Sequence, residues 1–143
     1  MKQLAIRLLK EKNLKITTQR LSLLCVLLNN TPKAYCFFEL LDNLKPKMNR
    51  STIYRSLDIL NEKGLITKMI DSNGHPIYAL NIEERCNDIA HSHVKCYQCG
   101  ILTCLPAYPS EYVNELYKAG VRNLNTVLRG ICSSCSTKQS NGN

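Results

Sequence analysis

Apolar residues recur every three or four positions through the first sixty residues of the chain, a spacing that predicts helices. The pattern places a short first helix over residues 3–12 and a second helix after Thr17 and Thr18, whose hydroxyl groups can cap it. A third helix is predicted over residues 36–44, where Pro46 terminates it. The first third of the chain is therefore predicted to be mainly helical.

A fourth helix is predicted to begin at a cap, either Asn49 or Ser51, and to run to Lys63, with Gly64 at the C-cap position. Its apolar residues recur at i, i+4 and i+7, a spacing typical of one buried stripe. The stripe consists of Ile53, Leu57 and Leu60. Because these three residues face inward, the opposite face of the helix is left for solvent or a partner.

The hydrophobic pattern after the fourth helix becomes that of strands. Residues 65–70 and 76–80 predict two strands, joined by a turn over residues 71–74. Three helices followed by a hairpin make a winged helix-turn-helix, which we expect to occupy residues 1–80 as a DNA-binding domain.

The second half of the chain has short strands around a single helix and predicts a small α/β unit. Its elements are a strand at 92–97, a strand at 101–105, a helix at 110–119 and a strand at 125–131. We expect a hinge at 81–90, a metal-binding dimerisation domain at 91–135 and a disordered polar tail at 136–143. The predicted fold class is α+β.

The distribution of charged residues also changes near residue 70, close to the end of the predicted winged helix. Residues 1–70 carry 13 Lys and Arg against 5 Asp and Glu, whereas residues 71–143 carry 6 of each kind. A basic half joined to a neutral half rich in Cys and His is typical of a nucleic-acid-binding module attached to a metal module, although a solvated basic surface has the same composition. No apolar stretch is long enough to span a membrane and no secretory signal is recognisable, so we expect a cytoplasmic protein without a membrane partner.

Two C-x-x-C pairs carry the most specific chemistry in the sequence. A strand-sized and a helix-sized segment separate the pairs, and the spacing predicts a structural zinc site of four thiolates. Its ligands would be Cys96, Cys99, Cys132 and Cys135. His91 and His93 alternate on one strand and so face the same side, which predicts a second, exchangeable metal. A protein with one structural and one exchangeable metal is a candidate sensor.

In a helix-turn-helix the second helix of the motif enters the major groove, and here that is the fourth helix. The buried stripe leaves several polar residues toward solvent, and Thr52 near the helix start and Lys15 ahead of the second helix can reach phosphates. The predicted DNA contacts are Lys15, Arg50, Ser51, Thr52, Tyr54 and Arg55. The alternative is that Arg55 is an ordinary surface residue and Tyr54 a half-buried one.

Several of these motifs occur in one order along the chain. They are Leu14-Lys-Ile-Thr-Thr-Gln-Arg20, Ser51-Thr-Ile-Tyr-Arg-Ser-Leu57, Gly64-Leu-Ile66, Tyr78, His91-x-His93-x-x-Cys96-x-x-Cys99-Gly100 and Cys132-x-x-Cys135. This order resembles the ferric uptake regulator family of bacterial metal-dependent repressors over about residues 3–135. The resemblance implies a homodimer that binds an AT-rich palindromic operator in double-stranded DNA when a regulatory divalent metal is bound. It also implies DNA contacts at Lys15, Tyr54 and Arg55, and zinc at the four paired cysteines.

The resemblance assigns His91 and His93 to the regulatory metal. Iron and peroxide sensors usually add a carboxylate upstream, whereas zinc sensors often have a cysteine there, and this chain has Cys86. Thiolates favour Zn²⁺ over Fe²⁺ or Mn²⁺, so the resemblance is strongest to the zinc uptake regulator branch. The fourth ligand stays open, and the candidates are Cys104, Glu84, Asp71 and His75.

The chain departs from the family pattern where many members have further metal ligands. The residues at these positions are Ala90, Ser92, Leu124 and Thr67, so an additional core metal site is expected to be absent. The favoured function is a zinc-responsive repressor of metal uptake genes and not an enzyme. The alternatives are an iron- or peroxide-responsive regulator, a zinc enzyme, which would need an open coordination position and a general base, and a thiol redox protein.

Overall fold

The computed structural model describes residues 1–44, 48–81, 91–122, 124 and 126–140. Pro46 and almost all of the expected hinge lie outside these ranges. Within them, no helix is both long and apolar enough to cross a membrane. The chain divides into two compact units. Unit 1 comprises Met1–Lys68 and Pro76–Asn81, and unit 2 comprises Met69–His75 and Ile82–Asn143.

Twelve elements are described, and both their order and their types make the fold α+β. They are α1 (Lys2–Glu11), α2 (Thr18–Asn29), β1 (Tyr35–Cys36), α3 (Phe37–Leu44), α4 (Arg50–Glu62), β2 (Ile66–Ile70), β3 (Pro76–Leu80), β4 (His91–Cys96), β5 (Leu102–Ala107), α5 (Ser110–Lys118), β6 (Val127–Gly130) and α6 (Ser133–Ser140). The four predicted helices of the first half are confirmed, each with bounds within two residues of the prediction.

Two helices of unit 1, α2 and α4, begin where a short polar side chain accepts a hydrogen bond from an unpaired backbone N–H group of the first turn. Thr17 Oγ1 accepts from the backbone N–H of Arg20 at 3.3 Å, and this contact starts α2. Asn49 Oδ1 accepts from the backbone N–H of Thr52 at 2.9 Å and starts α4. Of the two caps predicted for α4, Asn49 is therefore the one that the structure uses.

One apolar core holds the helices of unit 1 together. The predicted stripe of α4 is confirmed, because Ile53, Leu57 and Leu60 are all fully buried. They pack with the buried faces of the other helices, including Leu24 of α2 and Leu40 of α3. Burying one such side chain stabilises the fold by about 1.5–3 kcal/mol, so this stripe fixes which face of α4 is turned outward.

The predicted hairpin is confirmed, and it belongs to a three-stranded sheet with the order β1-β3-β2. The turn between β2 and β3 is closed by Asp71, whose Oδ1 accepts from the backbone N–H groups of Asn73 and His75 at 2.9 Å. The sequence pattern did not predict β1, a strand of two residues that pairs antiparallel with β3 through Tyr35 and Tyr78. A two-residue strand is too short to produce a detectable alternation.

Unit 2 contains a second three-stranded sheet with the order β5-β4-β6. Its central strand, β4, is antiparallel to β5 and parallel to β6. The tail that was expected to be disordered from residue 136 is instead helical as far as Ser140, because α6 continues from the second C-x-x-C pair. The described core of this unit is small, and α5 buries none of its residues.

Candidate metal centres and nucleic-acid interface

The two C-x-x-C pairs meet at one end of β4. The Sγ atoms of Cys96, Cys99, Cys132 and Cys135 all lie within 4.8 Å of one another. Cys99 Sγ and Cys132 Sγ are 3.7 Å apart. Four thiolates placed tetrahedrally around zinc, each at about 2.3 Å, have sulfur atoms about 3.8 Å apart. The cluster is therefore positioned to bind zinc without a change of backbone.

Local structure explains how the cysteines reach these positions. Cys96 is the last residue of β4, and the following turn is closed by a hydrogen bond from the Gly100 backbone N–H to the Cys96 carbonyl at 2.9 Å. Gly100 has φ +78°, a conformation that other residues rarely adopt. The second pair follows β6, whose Gly130 lies opposite Cys96 in the parallel register. A Cβ atom at Gly130 would lie 2.9 Å from Val94 Cγ1, so a larger residue there would force the Val94 side chain to shift.

The four thiol groups cannot all lose their protons without a cation, because their charges would lie within van der Waals distance of one another. Backbone hydrogen bonds from Cys132 and then Cys99 lower the pKa of Cys96 to about 6. A hydrogen bond with the Cys132 side chain, together with burial, raises the pKa of Cys135 to about 12. The two shifts have different causes, but together they favour a cluster in which Cys96 loses its proton and Cys135 keeps its proton. A divalent cation would remove that repulsion.

A second cluster lies at the other end of β4. His91 Nε2 and His93 Nε2 are 3.2 Å apart, and these atoms lie within 4.8 Å of the Cys104 sulfur. Two imidazole nitrogens that bind one tetrahedral zinc at about 2.05 Å are about 3.3 Å apart. The spacing of the histidines therefore fits shared coordination of one ion.

The strand register produces this second cluster. His91 and His93 alternate with the buried Ser92, so both imidazoles lie on the same face of β4. Cys104 of β5 is the antiparallel partner of His93, with a register irregularity between the two histidines. Burial, and then the neighbouring His91, lower the pKa of His93, so that this ring is held in the neutral form that binds metals.

Cys104 is disulfide-bonded in this structure, whereas Cys25, Cys36 and the four clustered cysteines are free. A sulfur in a disulfide is not a thiolate ligand, so Cys104 can take part in metal binding only in the reduced protein. Its position beside the histidines is set by β4–β5 pairing.

The remaining candidate ligands are placed differently. Cys86 and Glu84 lie outside the described residues. Asp71 and His75 are together in the turn between β2 and β3, where His75 Nδ1 is 4.0 Å from Asp71 Oδ2. Among the described residues, neither belongs to either cluster of metal-ligating atoms.

The residues predicted to contact DNA lie mainly on the outer face of α4. Arg50, Ser51, Tyr54 and Arg55 are exposed, and Thr52 is half-buried. Lys15 is exposed before α2, and its carbonyl accepts a hydrogen bond from Arg20 Nη1 at 2.8 Å. Arg20 thus fixes the backbone that carries Lys15.

A cavity of about 220 Å³ lies between the beginning of α2 and α4. It is lined by Thr17, Gln19, Arg20, Ser51, Thr52, Arg55, Ser56 and Ile59. None of these described residues carries a carboxylate, and two of them are arginines. Two guanidinium groups beside several hydroxyl groups make a site that favours phosphate. Sequence spacing identified three of the lining residues but not Arg20, because Arg20 precedes the predicted recognition helix by thirty positions.

An aromatic contact holds Tyr54 in place. The Tyr54 ring stacks on Phe37 with centroids 3.9 Å apart and planes 5° from parallel. The Arg50 guanidinium carbon lies 5.6 Å from the Phe37 ring centroid and 5.6 Å from that of Phe38. The helical spacing of α3 predicts that Phe37 faces the core, whereas no pattern in the sequence assigns a role to Phe38.

Comparisons with known proteins agree with this combination of sites. The model of the ferric uptake regulator family matches residues 11–115. The ferric uptake regulation protein of Bacillus subtilis is 27% identical over 138 residues, which cover 92% of this chain and 91% of that protein. The peroxide operon regulator of the same organism is 25% identical over 143 residues, covering 94% and 93%.

The fold also matches solved structures. A structure of a zinc uptake regulator complexed with zinc and DNA is 24% identical, with a TM-score of 0.70, and covers 97% of this chain and 95% of that one. The Vibrio cholerae ferric uptake regulator is 25% identical, with a TM-score of 0.58, and covers 88% and 98%.

The family model covers most of the chain, and the members of this family are transcription regulators rather than enzymes. The paired cysteines, the two histidines and the winged helix occur here in one polypeptide. The chain belongs to the ferric uptake regulator family and is a metal-responsive, DNA-binding transcription regulator.

Proposed function

We propose that this protein is a homodimeric, zinc-responsive repressor of metal uptake genes, which binds an AT-rich palindromic operator when its regulatory metal is bound. The observation that carries the proposal is the second cluster, in which two imidazoles lie beside a cysteine rather than a carboxylate. Imidazole and thiolate together favour Zn²⁺ over Fe²⁺ and Mn²⁺. The likeness to a zinc uptake regulator in complex with zinc and DNA supports the same choice.

In this proposal the two metals have different roles. Cys96, Cys99, Cys132 and Cys135 hold a structural zinc that stabilises unit 2. His91 and His93 hold the regulatory zinc with reduced Cys104 and with Cys86, which lies outside the described residues. Bound zinc would supply a positive charge that holds these ligands in one arrangement. Because the metal and the operator are thermodynamically linked, each must tighten the binding of the other by the same factor.

The DNA interface in the proposal combines α4 with the beginning of α2. Arg50, Tyr54 and Arg55 would enter the major groove, and Ser51 and Thr52 would contact phosphates together with Lys15. The cavity with Arg20 and Arg55 supports phosphate binding beside the groove. The net positive charge of the first 70 residues favours a polyanionic partner of this kind.

Unit 2 supports dimerisation by what it leaves exposed. Helix α5 has its apolar residues at helical spacing, at Tyr112, Val113, Leu116 and Tyr117, yet buries none of them in the single chain. Five large apolar side chains of this unit are between 47% and 56% exposed, namely Ile70, Tyr97, Tyr112, Tyr117 and Leu128. A unit with so few buried residues gains stability from a second copy that covers such side chains.

A second candidate is an iron- or peroxide-responsive regulator, because the ferric uptake regulation protein and the peroxide operon regulator of Bacillus subtilis are full-length relatives. Iron sensing would require oxygen ligands, which the described part of the second cluster does not contain. Glu84 is the carboxylate that would serve this alternative, and it lies outside the described residues.

The test is operator binding under controlled free metal. Duplexes would first be selected from a random library by the zinc-loaded, fully reduced protein, and binding of the best duplex would be measured by fluorescence anisotropy. Metal buffers would set free Zn²⁺, Fe²⁺ or Mn²⁺ in separate titrations, the iron titration without oxygen. We expect DNA binding to follow Zn²⁺ at far lower free concentration than the other ions, with two zinc ions per chain in the bound form.

Two outcomes would contradict the proposal. A response to Fe²⁺ at physiological free iron, with none to Zn²⁺, would establish the second candidate instead. A DNA affinity that does not change with any of the three metals would contradict the regulatory role proposed for His91 and His93. Mass spectrometry of the protein after peroxide treatment adds a check, since oxidation of a histidine ligand would favour peroxide sensing.

A further inference from the structure

We propose that Phe38 is a specificity-determining residue that reads the C5 methyl group of a thymine in the major groove. The inference rests on the proposed function, because it requires α4 to be bound to DNA. It adds a contact from α3, the first helix of the helix-turn-helix, to the contacts expected from α4. The contact is apolar, whereas those expected from the sequence are mainly polar or charged.

The fold does not require the Phe38 side chain. Phe37 is 4% exposed and belongs to the core of unit 1, whereas Phe38 is 63% exposed. Single exposed apolar residues are common on protein surfaces, so exposure alone assigns no role to Phe38. The role of Phe38 is therefore inferred from the residues that surround its ring.

Phe38 adjoins the exposed face of α4. The Arg50 guanidinium carbon is 5.6 Å from the centroid of the Phe38 ring, a distance at which a cation is attracted to the ring face. Phe37 lies between the two helices: it contacts Phe38 edge to face at 6.0 Å and stacks on Tyr54 at 3.9 Å. A DNA surface that contacts Arg50 and Tyr54 would therefore also contact Phe38.

On the side of Phe38 that adjoins α4 the neighbouring charge is that of Arg50, whereas the exposed Asp42 lies one helical turn beyond Phe38 in α3, about 6 Å along the axis. The first turn of α4 contains no acidic residue. Glu39, which follows Phe38, accepts a hydrogen bond from the Cys36 backbone N–H at 2.8 Å and lies 3.5 Å from Lys33 Nζ, so its charge is locally compensated. The exposed Asp58 is eight residues beyond Arg50, or about 12 Å along the helix axis.

The chemistry of the ring selects one feature of DNA. A phenyl group neither donates nor accepts a hydrogen bond, so it cannot read the polar edge of a base. The thymine methyl group is the apolar feature that the major groove presents, and apolar side chains recognise it by contact. An apolar protein partner would not explain why Phe38 lies beside an exposed arginine in the basic part of the chain.

The experiment replaces thymine by uracil, which removes only the methyl group. The probe is the duplex selected by the zinc-loaded protein, resynthesised with uracil at one thymine position at a time. We expect one thymine in each half-site at which uracil weakens binding of the unaltered protein by about fourfold, the factor for burying one methyl group. Phe38→Ala should bind the thymine and uracil duplexes equally at that position and keep its sensitivity elsewhere.

Two further variants serve as controls. Phe38→Leu keeps an apolar side chain and should retain part of the discrimination between thymine and uracil. Ile16→Ala removes another exposed apolar side chain of unit 1, and it should leave the Phe38-dependent position unchanged. Thermal unfolding of Phe38→Ala should match that of the unaltered protein, because the ring is mostly exposed.

The outcomes separate this inference from the function on which it rests. If the protein selects a duplex, but Phe38→Ala keeps every uracil sensitivity of the unaltered protein, the thymine contact is wrong and the repressor proposal stands. The same conclusion follows if no single uracil weakens binding. If zinc-loaded protein selects no duplex at all, both proposals are overturned.

Discussion

The two metal-ligating clusters lie on the same strand but differ in how their ligands are enclosed. At the end of β4, two of the four cysteines are buried and two are half-buried. At its beginning, His91 and His93 are half-buried and Cys104 is exposed. A closed set of four protein ligands is typical of structural zinc, whereas an accessible set allows exchange with the solvent. In the proposed assignment, ligand access more than ligand type therefore distinguishes the structural metal from the sensed one.

The largest effect should come from the enclosed cluster. Cys96→Ser removes a ligand whose bound zinc contributes about 10 kcal/mol or more to folding in small zinc domains. We expect loss of the structural zinc and of the folded unit 2, and hence of the dimer. Metal content by mass spectrometry and sedimentation velocity would measure both. Cys36→Ser, which alters a free cysteine outside the clusters, is the matched control. A Cys96→Ser dimer with unchanged metal content would contradict the structural role.

The next effect should come from the accessible cluster. His93→Ala should abolish the response of DNA binding to zinc while leaving the structural zinc and the dimer intact. The expected loss is the coupling factor, typically about 5- to 150-fold in DNA affinity at saturating zinc. Anisotropy titrations with and without zinc would measure it. His75→Ala, at the exposed third histidine, is the comparison, because His75 belongs to neither described cluster, and an equal loss there would place His75 among the regulatory ligands.

A smaller effect should follow from changing ligand type at the accessible cluster. Cys104→Asp replaces a soft sulfur by a hard oxygen, so the relative preference for Zn²⁺ over Mn²⁺ should fall by about tenfold in reduced protein. Competition between the two ions, read through DNA binding, would measure the change. Cys25→Ser controls for the loss of a thiol. Unchanged selectivity in Cys104→Asp would exclude Cys104 from the regulatory site.

The smallest effect should come from the strand face opposite the histidines. Ser92 is buried, and its Oγ atom lies 3.0 Å from Thr126 Oγ1 and also contacts the Tyr108 hydroxyl. Ser92→Ala leaves these partners incompletely bonded and should lower the free energy of unfolding by about 1–2 kcal/mol. Denaturant titration of zinc-loaded protein would measure it, with both zinc ions retained. Loss of the second zinc instead would place Ser92 among the residues that support the metal.

Much of this comparison was predictable from the sequence, for physical reasons. The i, i+4, i+7 spacing of Ile53, Leu57 and Leu60 determines the buried face of α4, because residues at this spacing lie on one side of a helix with 3.6 residues per turn. The alternation of His91 and His93 likewise predicts that both lie on one face of β4.

What could not be predicted depends on contacts between segments that are distant in the chain. The proximity of Cys104 to His93 follows from the antiparallel register of β4 and β5, which no local pattern determines. The stacking of Tyr54 on Phe37 depends in the same way on the packing of α3 against α4. Residues 136–140 were misjudged because polar composition is typical of disorder, whereas here a helix begins beside two metal-ligating cysteines.

The central position of β4 in its sheet determines how metal ions could reach and leave the two clusters. Three residue steps separate His93 from Cys96, the nearest ligands of the two clusters on this strand, or about 10 Å in an extended strand. A strand paired on both sides cannot shorten, so no ion can be bridged between the two sites or passed directly from one to the other. In the proposed assignment each ion would therefore enter and leave through solvent, and the regulatory site would respond to exchangeable metal in the surroundings and not to the structural zinc.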